Sequence, residues 1–79
     1  MVAYYNQWLV LNLLAMHPNA KRVYQAIALD EARPYGDIAQ AAGVQGAQLD
    51  EALNRLLGVG AIVREHFHGA DHYLKLVEL

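Results

Sequence analysis

Apolar residues recur at two different spacings along this chain, and the spacing changes near Gly60. Between residues 20 and 57 the apolar positions repeat every three or four residues, which is the period of an amphipathic helix. After Gly60, two runs rich in β-branched and aromatic residues, 61–68 and 72–77, flank a short loop that contains glycine. Such a pair of runs predicts a β-hairpin. The pattern therefore predicts a helical domain that ends in a hairpin.

The N-terminal segment, residues 3–16, is apolar around the whole helix axis. It has no charged side chain and is shorter than the roughly 20 residues that a membrane-spanning helix needs. No basic residue precedes it, as one would in a signal peptide. A helix that is apolar all round is buried all round, and this domain can cover only one side of it. We therefore expect the other side to form a homodimer interface. The expected interface residues are Tyr4, Tyr5, Trp8, Leu9, Leu11 and Leu13.

A second helix is predicted over residues 20–31. Asn19 is its candidate N-cap, because its side chain can accept a hydrogen bond from the first turn. Asp30 and Glu31 would then lie in the last turn, where the helix dipole disfavours carboxylates. Pro34 is well placed to begin the following helix.

Two short helices joined at a sharp angle are predicted between residues 34 and 60. Gly43 stands where a left-handed residue can end the first helix, and Val44 follows as an apolar plug. The second helix, 47–57, has apolar residues at helical spacing. These residues are Leu49, Ala52, Leu53, Leu56 and Leu57. A helix-turn-helix has this arrangement, and so does an ordinary helical hairpin in a bundle.

The order of the elements resembles the winged-helix family over residues 20–77. The pattern that carries the resemblance is Ile38, Ala39, Gly43, Val44, Leu49, Leu53 and Leu56, followed by the run 56–64 that leads into the first strand. The resemblance implies an α+β fold, with a three-helix core containing the helix-turn-helix and a C-terminal β-hairpin wing. We expect a single domain, 1–79, with a dimerisation helix at 1–17 and the winged-helix core at 20–77. Winged helices bind DNA in some proteins and protein partners in others.

Composition limits the possible chemistry. A chain of 79 residues without cysteine forms one small domain and can hold no disulfide, thiolate nucleophile or cysteine-ligated zinc. The absence of cysteine fits a reducing compartment, so we expect a cytoplasmic protein. The apolar content of 56% exceeds the usual 45–50%, which favours burial against a second chain. The net charge of −2 gives no general attraction to phosphate or to anionic lipid.

No enzymatic site is predicted. The adjacent carboxylates at 30–31 and 50–51 would point about 100° apart on a helix, so neither pair forms a catalytic dyad. The glycines are explained by turns and do not form a phosphate-binding loop. We therefore expect neither catalysis nor a cofactor.

The hairpin register can be predicted from its loop. If Gly69, Ala70 and Asp71 form the loop, His68 faces His72 directly and His66 lies on the same side. The remaining cross-strand pairs would be Phe67 with Tyr73 and Glu65 with Lys75. Three imidazoles on one face could bind Zn²⁺, Ni²⁺ or Cu²⁺. Solvent-facing polar positions of a wing explain the same residues, and no metal site is predicted.

A DNA-binding hypothesis depends on the second helix of the pair, which would enter the major groove. The candidate contacts are Gln45, Gln48, Asn54, Arg55, Arg64 and His68. Glutamine and asparagine can hydrogen-bond to adenine, and arginine to guanine. Asp50 and Glu51 on the same helix repel phosphate, and Glu51 is spaced to pair with Arg55.

Two functions remain open from the sequence. The leading hypothesis is a small homodimeric winged-helix protein that binds duplex DNA as a transcriptional regulator. The alternative is a winged-helix protein–protein interaction module that does not bind DNA. DNA-binding requires the basic side chains to converge on one face.

Overall fold

The structure, a computed structural model, describes residues 7–76 and residue 78. In this part of the chain the helices are α1 (Gln7–Met16), α2 (Pro18–Ala26), α3 (Tyr35–Ala42) and α4 (Ala47–Gly58). The strands are β1 (Arg33–Pro34), β2 (Ile62–Phe67) and β3 (Ala70–Lys75). They form one antiparallel sheet in the order β1-β3-β2. This α+β arrangement is compatible with a winged-helix-like fold. Tyr4 and Tyr5 lie outside the described residues.

One hydrophobic core joins α2, α3 and α4 to the sheet. Its largest fully buried side chains include Tyr24 from α2, Ile27 directly after α2, Ile38 from α3, Leu49 and Leu56 from α4, and Ile62 from β2. The buried α4 residues match the apolar face that the sequence predicts. Helix α1 adds Val10 to this core.

The predicted start and end of α2 are wrong. The N-cap is His17 and Pro18 is the first helical residue, so Asn19 lies inside the helix. Proline suits this position because the first amide of a helix has no intrahelical partner. The helix ends at Ala26 instead of continuing to residue 31, because Ile27 is extended.

A backbone contact with β3 accompanies this early end of α2. The Lys75 amide donates a hydrogen bond of 3.0 Å to the Ala28 carbonyl. The segment after Ile27 thus packs beside the sheet. If the helix continued, the Ala28 carbonyl would accept a hydrogen bond within the helix and could not accept one from β3 in the same way. Asp30 and Glu31 therefore lie beyond the helix, and the conflict with the helix dipole disappears.

The predicted left-handed conformation of Gly43 at the end of α3 is confirmed. Gly43 has φ +70°, and its amide donates a hydrogen bond of 2.9 Å to the Ala39 carbonyl at the end of α3. Val44 is buried directly after the turn. A second glycine with positive φ, Gly46 at φ +66°, precedes α4. These residues direct the chain from α3 into α4 without a Cβ at either position of positive φ.

Strand β1 is absent from the sequence prediction. Arg33 pairs with Tyr73, and Pro34 pairs with His72. A strand of two residues is too short to show the alternation of apolar and polar residues by which strands are predicted. Its proline also argues against a strand, because proline in sheets is confined to edge strands. Strand β1 is such an edge, and Pro34 also serves as the N-cap of α3.

The predicted hairpin register is wrong. The loop consists of His68 and Gly69, with φ of 53° and 74°, and Phe67 pairs with Ala70. Positive φ at both central residues is the requirement of a two-residue type I′ turn, whose twist suits a hairpin. This shorter loop replaces the expected one at residues 69–71. The actual cross-strand partners are Arg64 with Tyr73, Glu65 with His72, His66 with Asp71, and Ile62 with Lys75.

Candidate nucleic-acid interface

The exposed side of α4 is flanked by two clefts. The α2–α4 cleft lies at the start of α2, and its lining includes His17, Gln48, Glu51 and Arg55. The α4–hairpin cleft lies on the other side of the helix. Its lining residues are Tyr35, Asp50, Leu53, Asn54, Arg64, Asp71 and Tyr73.

The clefts bring together some of the predicted DNA contacts and separate others. Gln48 and Arg55 share the α2–α4 cleft, whereas Asn54 and Arg64 share the α4–hairpin cleft. Gln45 is exposed in the turn before α4. His68 is exposed in the hairpin loop. The candidates therefore lie along both sides of α4 and at the hairpin end.

The predicted pairing of Arg55 with Glu51 is confirmed. The Arg55 Nε atom lies 3.7 Å from Glu51 Oε1, and both side chains are exposed. An exposed pair of this spacing is worth only about 0.3–0.5 kcal/mol. A phosphate or a base edge can therefore compete with Glu51 for this guanidinium.

Carboxylates surround the second arginine of the candidate interface. Asp50 and Asp71 line the α4–hairpin cleft together with Arg64. The Tyr35 hydroxyl donates a hydrogen bond of 2.7 Å to Asp50 Oδ1. This hydrogen bond, with a smaller contribution from burial, raises the pKa of Tyr35 above its ordinary value of 10.0. The phenol thus remains a donor to Asp50 across the neutral pH range.

The three hairpin histidines do not share one face. Directly opposed residues of an antiparallel pair lie on the same face, so His66 is grouped with Asp71, and His72 with Glu65. His66 Nδ1 lies 2.8 Å from Asp71 Oδ1. His68 lies in the loop. Among the described residues, no group of three histidine, cysteine, aspartate or glutamate side chains could hold a metal ion.

Two basic residues are held by contacts within the chain. The Lys75 side chain is only 4% exposed, and its Nζ atom lies 3.0 Å from Glu78 Oε2 and 4.4 Å from the centre of the Tyr24 ring. Arg33 donates a hydrogen bond of 3.1 Å to the Ala26 carbonyl and lies 3.5 Å from Glu31. Neither residue is available to phosphate without breaking these contacts.

The remaining cations are spread over two regions. Within residues 7–76 and 78, Lys21, Arg22 and Arg64 form no ion pair with a carboxylate. Lys21 and Arg22 are exposed near the start of α2, and Arg64 is exposed on β2. The charge distribution therefore lacks a continuous basic surface in the described part of the chain.

Helix α1 presents an uncharged apolar surface. Trp8 is 74% exposed, Leu11 is 46% exposed and Met16 is 73% exposed, and Leu9 is also exposed. Leu13, an expected interface residue, instead packs partly against the chain's own core. The described helices include none that is long and apolar enough to cross a membrane.

Two features of this region escape sequence inspection. Tyr35 and Asp50 are 15 positions apart, and no local pattern links them. The pairing of His66 with Asp71 requires the turn to lie at His68 and Gly69, and only the left-handed conformation of His68 reveals that position.

In comparisons with known proteins, the chain matches no protein-family model and no curated protein.

Proposed function

We propose that this chain is a small homodimeric winged-helix protein that binds duplex DNA as a transcriptional regulator in the cytoplasm. The observation that carries the proposal is the arrangement of α3, the left-handed Gly43 and α4 beside a β-hairpin. One face of α4 is buried in the core, and its opposite face is open and polar. A helix held in this way can enter the major groove while the hairpin contacts the adjacent backbone.

The side chains on the open face can read bases. Gln48 and Asn54 are exposed on α4, and Gln45 is exposed just before it. Amide side chains can form two hydrogen bonds with adenine in the major groove. Arg55 can contact guanine or phosphate once it leaves its weak pair with Glu51. These residues form the proposed reading surface.

The charge distribution sets the strength of binding that the proposal implies. Each protomer offers Lys21, Arg22 and Arg64 without an ion pair among the described residues, and its carboxylates at Asp50 and Glu51 oppose phosphate. Non-specific affinity depends on the number of phosphates neutralised. A single protomer should therefore bind weakly, and a dimer doubles the number of cations that act together.

Helix α1 is the proposed dimer interface. Its exposed surface contains Trp8, Leu9 and Leu11 and carries no charged side chain. A second copy presents the same uncharged surface, so a two-fold arrangement would bury both without leaving a charge unpaired. Met16, which the sequence prediction omits, is also exposed on this helix.

Duplex binding tests the proposal directly. Fluorescence anisotropy of a labelled mixed-sequence DNA duplex at low salt should show association, and selection from a random duplex library should yield a preferred sequence. The double variant Gln48→Ala and Asn54→Ala should lose that preference, because it removes two proposed base contacts. Gln40→Ala, on the exposed side of α3, is the matched control. The absence of association at tens of micromolar wild-type protein would reject DNA-binding.

A second function is favoured by the carboxylates in the α4–hairpin cleft. Asp50 and Asp71 share that cleft with Arg64, which places negative charge where a winged helix would meet phosphate. This arrangement suits a protein–protein interaction module whose partner brings basic side chains. Failure to bind duplex DNA, together with a stable fold, would favour this second candidate.

A further inference from the structure

The end of the hairpin concentrates most of the chain's histidines. We define the hairpin tip as residues 64–72, which contain three of the four histidines. The tip also contains one arginine, Arg64, and two carboxylates, Glu65 and Asp71. Its formal charge is therefore −1 with neutral imidazoles, and it becomes +2 when all three imidazoles are protonated. Imidazole is the side chain that ordinarily changes charge between pH 5 and 8.

We propose that the hairpin tip is a pH-gated contact for the DNA backbone, which repels phosphate at neutral pH and attracts it in mild acid. The proposal rests on the proposed DNA-binding function and adds a mode of regulation to it. A polyanion is the partner that such a reversal of charge would affect most strongly.

Two of the three imidazoles have contacts that suit the protonated form. His66 Nδ1 lies 2.8 Å from Asp71 Oδ1, so protonation converts a hydrogen bond into an ion pair and offsets the charge of Asp71. His72 lies opposite Glu65 and stacks on Phe67, with 3.9 Å between ring centres and an angle of 15° between the planes. The face of an aromatic ring attracts a cation. Protonated His66 and His72 therefore each have a favourable neighbour within the hairpin.

The loop position of His68 supports a role at the surface. His68 is exposed and has φ 53°, a left-handed conformation that glycine adopts more easily. The preferred first residue of a type I′ turn is asparagine, aspartate or glycine. Histidine at this position places a titratable side chain in the hairpin loop. The geometry of the turn does not explain the choice of histidine there.

The carboxylates around the tip oppose phosphate before the imidazoles are protonated, whereas Arg64 attracts it. Asp50 of α4 and the Tyr35 hydroxyl of α3 line the α4–hairpin cleft with Arg64 and Asp71. On the opposite face, Glu65 is the charged group beside His72. Imidazole is the side chain whose charge ordinarily changes between neutral and mildly acidic pH, so the proposed change in charge at the tip comes from the histidines.

The test measures binding of a fluorescein-labelled mixed-sequence DNA duplex at about pH 7.5 and about pH 5.5, at equal ionic strength. Wild-type affinity should rise at least about tenfold in acid, and the logarithmic salt slope should steepen by about 0.9 for each imidazole that meets a phosphate. The triple variant H66Q, H68Q and H72Q should lose this pH dependence. Gln40→Ala, on the exposed side of α3, changes no titratable group and should retain it.

The possible outcomes distinguish the proposed pH-gated contact, called the gate below, from the DNA-binding function on which it rests. No binding at either pH rejects the proposed function, whereas equal binding at both pH values rejects the gate alone. A pH dependence that survives in the triple variant also rejects the gate. Circular dichroism at both pH values checks that each variant is folded.

Titration of the individual imidazoles by NMR provides a second measurement in the wild-type protein. By reciprocal linkage, bound DNA should move the titration midpoints of His66, His68 and His72 to higher pH. Unchanged midpoints of these three imidazoles in the presence of DNA would overturn the proposal even if a glutamine variant failed to fold.

Discussion

The Tyr35 hydroxyl donates a hydrogen bond of 2.7 Å to Asp50 Oδ1, which ties the first residue of α3 to the first turn of α4. The contact crosses the turn at Gly43, so it restrains the two helices from outside the core. It also holds one acidic side chain of α4 at the α4–hairpin cleft. This link gives a direct test of how α3 and α4 are held together.

Tyr35→Phe should lower the free energy of unfolding at neutral pH by about 0.5–1 kcal/mol, a small value because the contact is exposed to solvent. The folded-state pKa of Tyr35 is raised by Asp50, so this contribution is fully present below the unfolded pKa near 10 and is lost as the pH rises through the folded value. Urea unfolding of wild type and variant at about pH 7 and at strongly alkaline pH measures the difference. A difference that persists in alkali would contradict the assignment.

Gly43→Val should destabilise the protein by about 1–3 kcal/mol, because φ is +70° and a β-branched residue resists that conformation. An added Cβ would meet no atom within 4 Å, so the cost lies in the backbone and not in a clash. Gly36→Ala, in α3 with equally open space, is the control and should be neutral or stabilising. Thermal melts that rank the two variants in the opposite order would refute the role of this turn.

Leu11→Glu should dissociate the proposed dimer. A charge placed in an apolar interface without a partner costs several kcal/mol, whereas Leu11 is exposed enough in one chain to leave the core intact. Sedimentation equilibrium at micromolar concentration should show a dimer for wild type and a mass near 8.8 kDa for the variant. Gln40→Glu adds the same charge on α3 and should remain dimeric. A wild-type protein that sediments as a monomer would exclude the α1 interface.

The sequence predicts helix α4 and the end of α3 at Gly43 well. Helix α4 presents five apolar positions at helical spacing, and the core buries most of that face. The role of Gly43 can also be predicted from the sequence, because a left-handed residue at a helix end is most often glycine. In both cases local preference and tertiary packing select the same conformation.

The remaining elements depend on contacts that no local pattern records. Helix α2 stops early where the backbone after Ile27 meets β3, and β1 has only two residues. The turn lies at His68 and Gly69 instead of at residues 69–71, because His68 takes a left-handed conformation that few residues other than glycine adopt. The register therefore shifts by three residues, which places His66 against Asp71 and puts Lys75 opposite Ile62.

The burial of Lys75 leads to a stability prediction. Lys75→Ala should cost about 2 kcal/mol, because it empties the space that this buried side chain fills and removes the ammonium that lies 4.4 Å from the centre of the Tyr24 ring. Lys75→Met keeps most of that volume and should stay within about 1 kcal/mol of wild type, because Glu78 is 60% exposed and is not left as a buried unpaired charge. Lys21→Ala, at an exposed site, is the control for loss of a lysine. Equal effects of the alanine and methionine variants would mean that the charge, and not the stem, stabilises this position.

The last prediction concerns the pair of Arg55 and Glu51. If α4 reads DNA, Arg55→Ala should weaken specific binding by about 1–3 kcal/mol where the guanidinium contacts a base. Glu51→Gln should do the opposite, because it removes a repelling carboxylate and releases Arg55 from its 3.7 Å contact. The logarithmic salt slope of duplex binding should then steepen by about 0.9 for one more phosphate neutralised.

Glu31→Gln makes the same change in net charge beside Arg33, away from α4, and serves as the control. Anisotropy titrations of the three variants over a salt series distinguish a local effect from a general one. Equal tightening by Glu51→Gln and Glu31→Gln would indicate that only net charge matters, and α4 would lose its assignment as the reading helix.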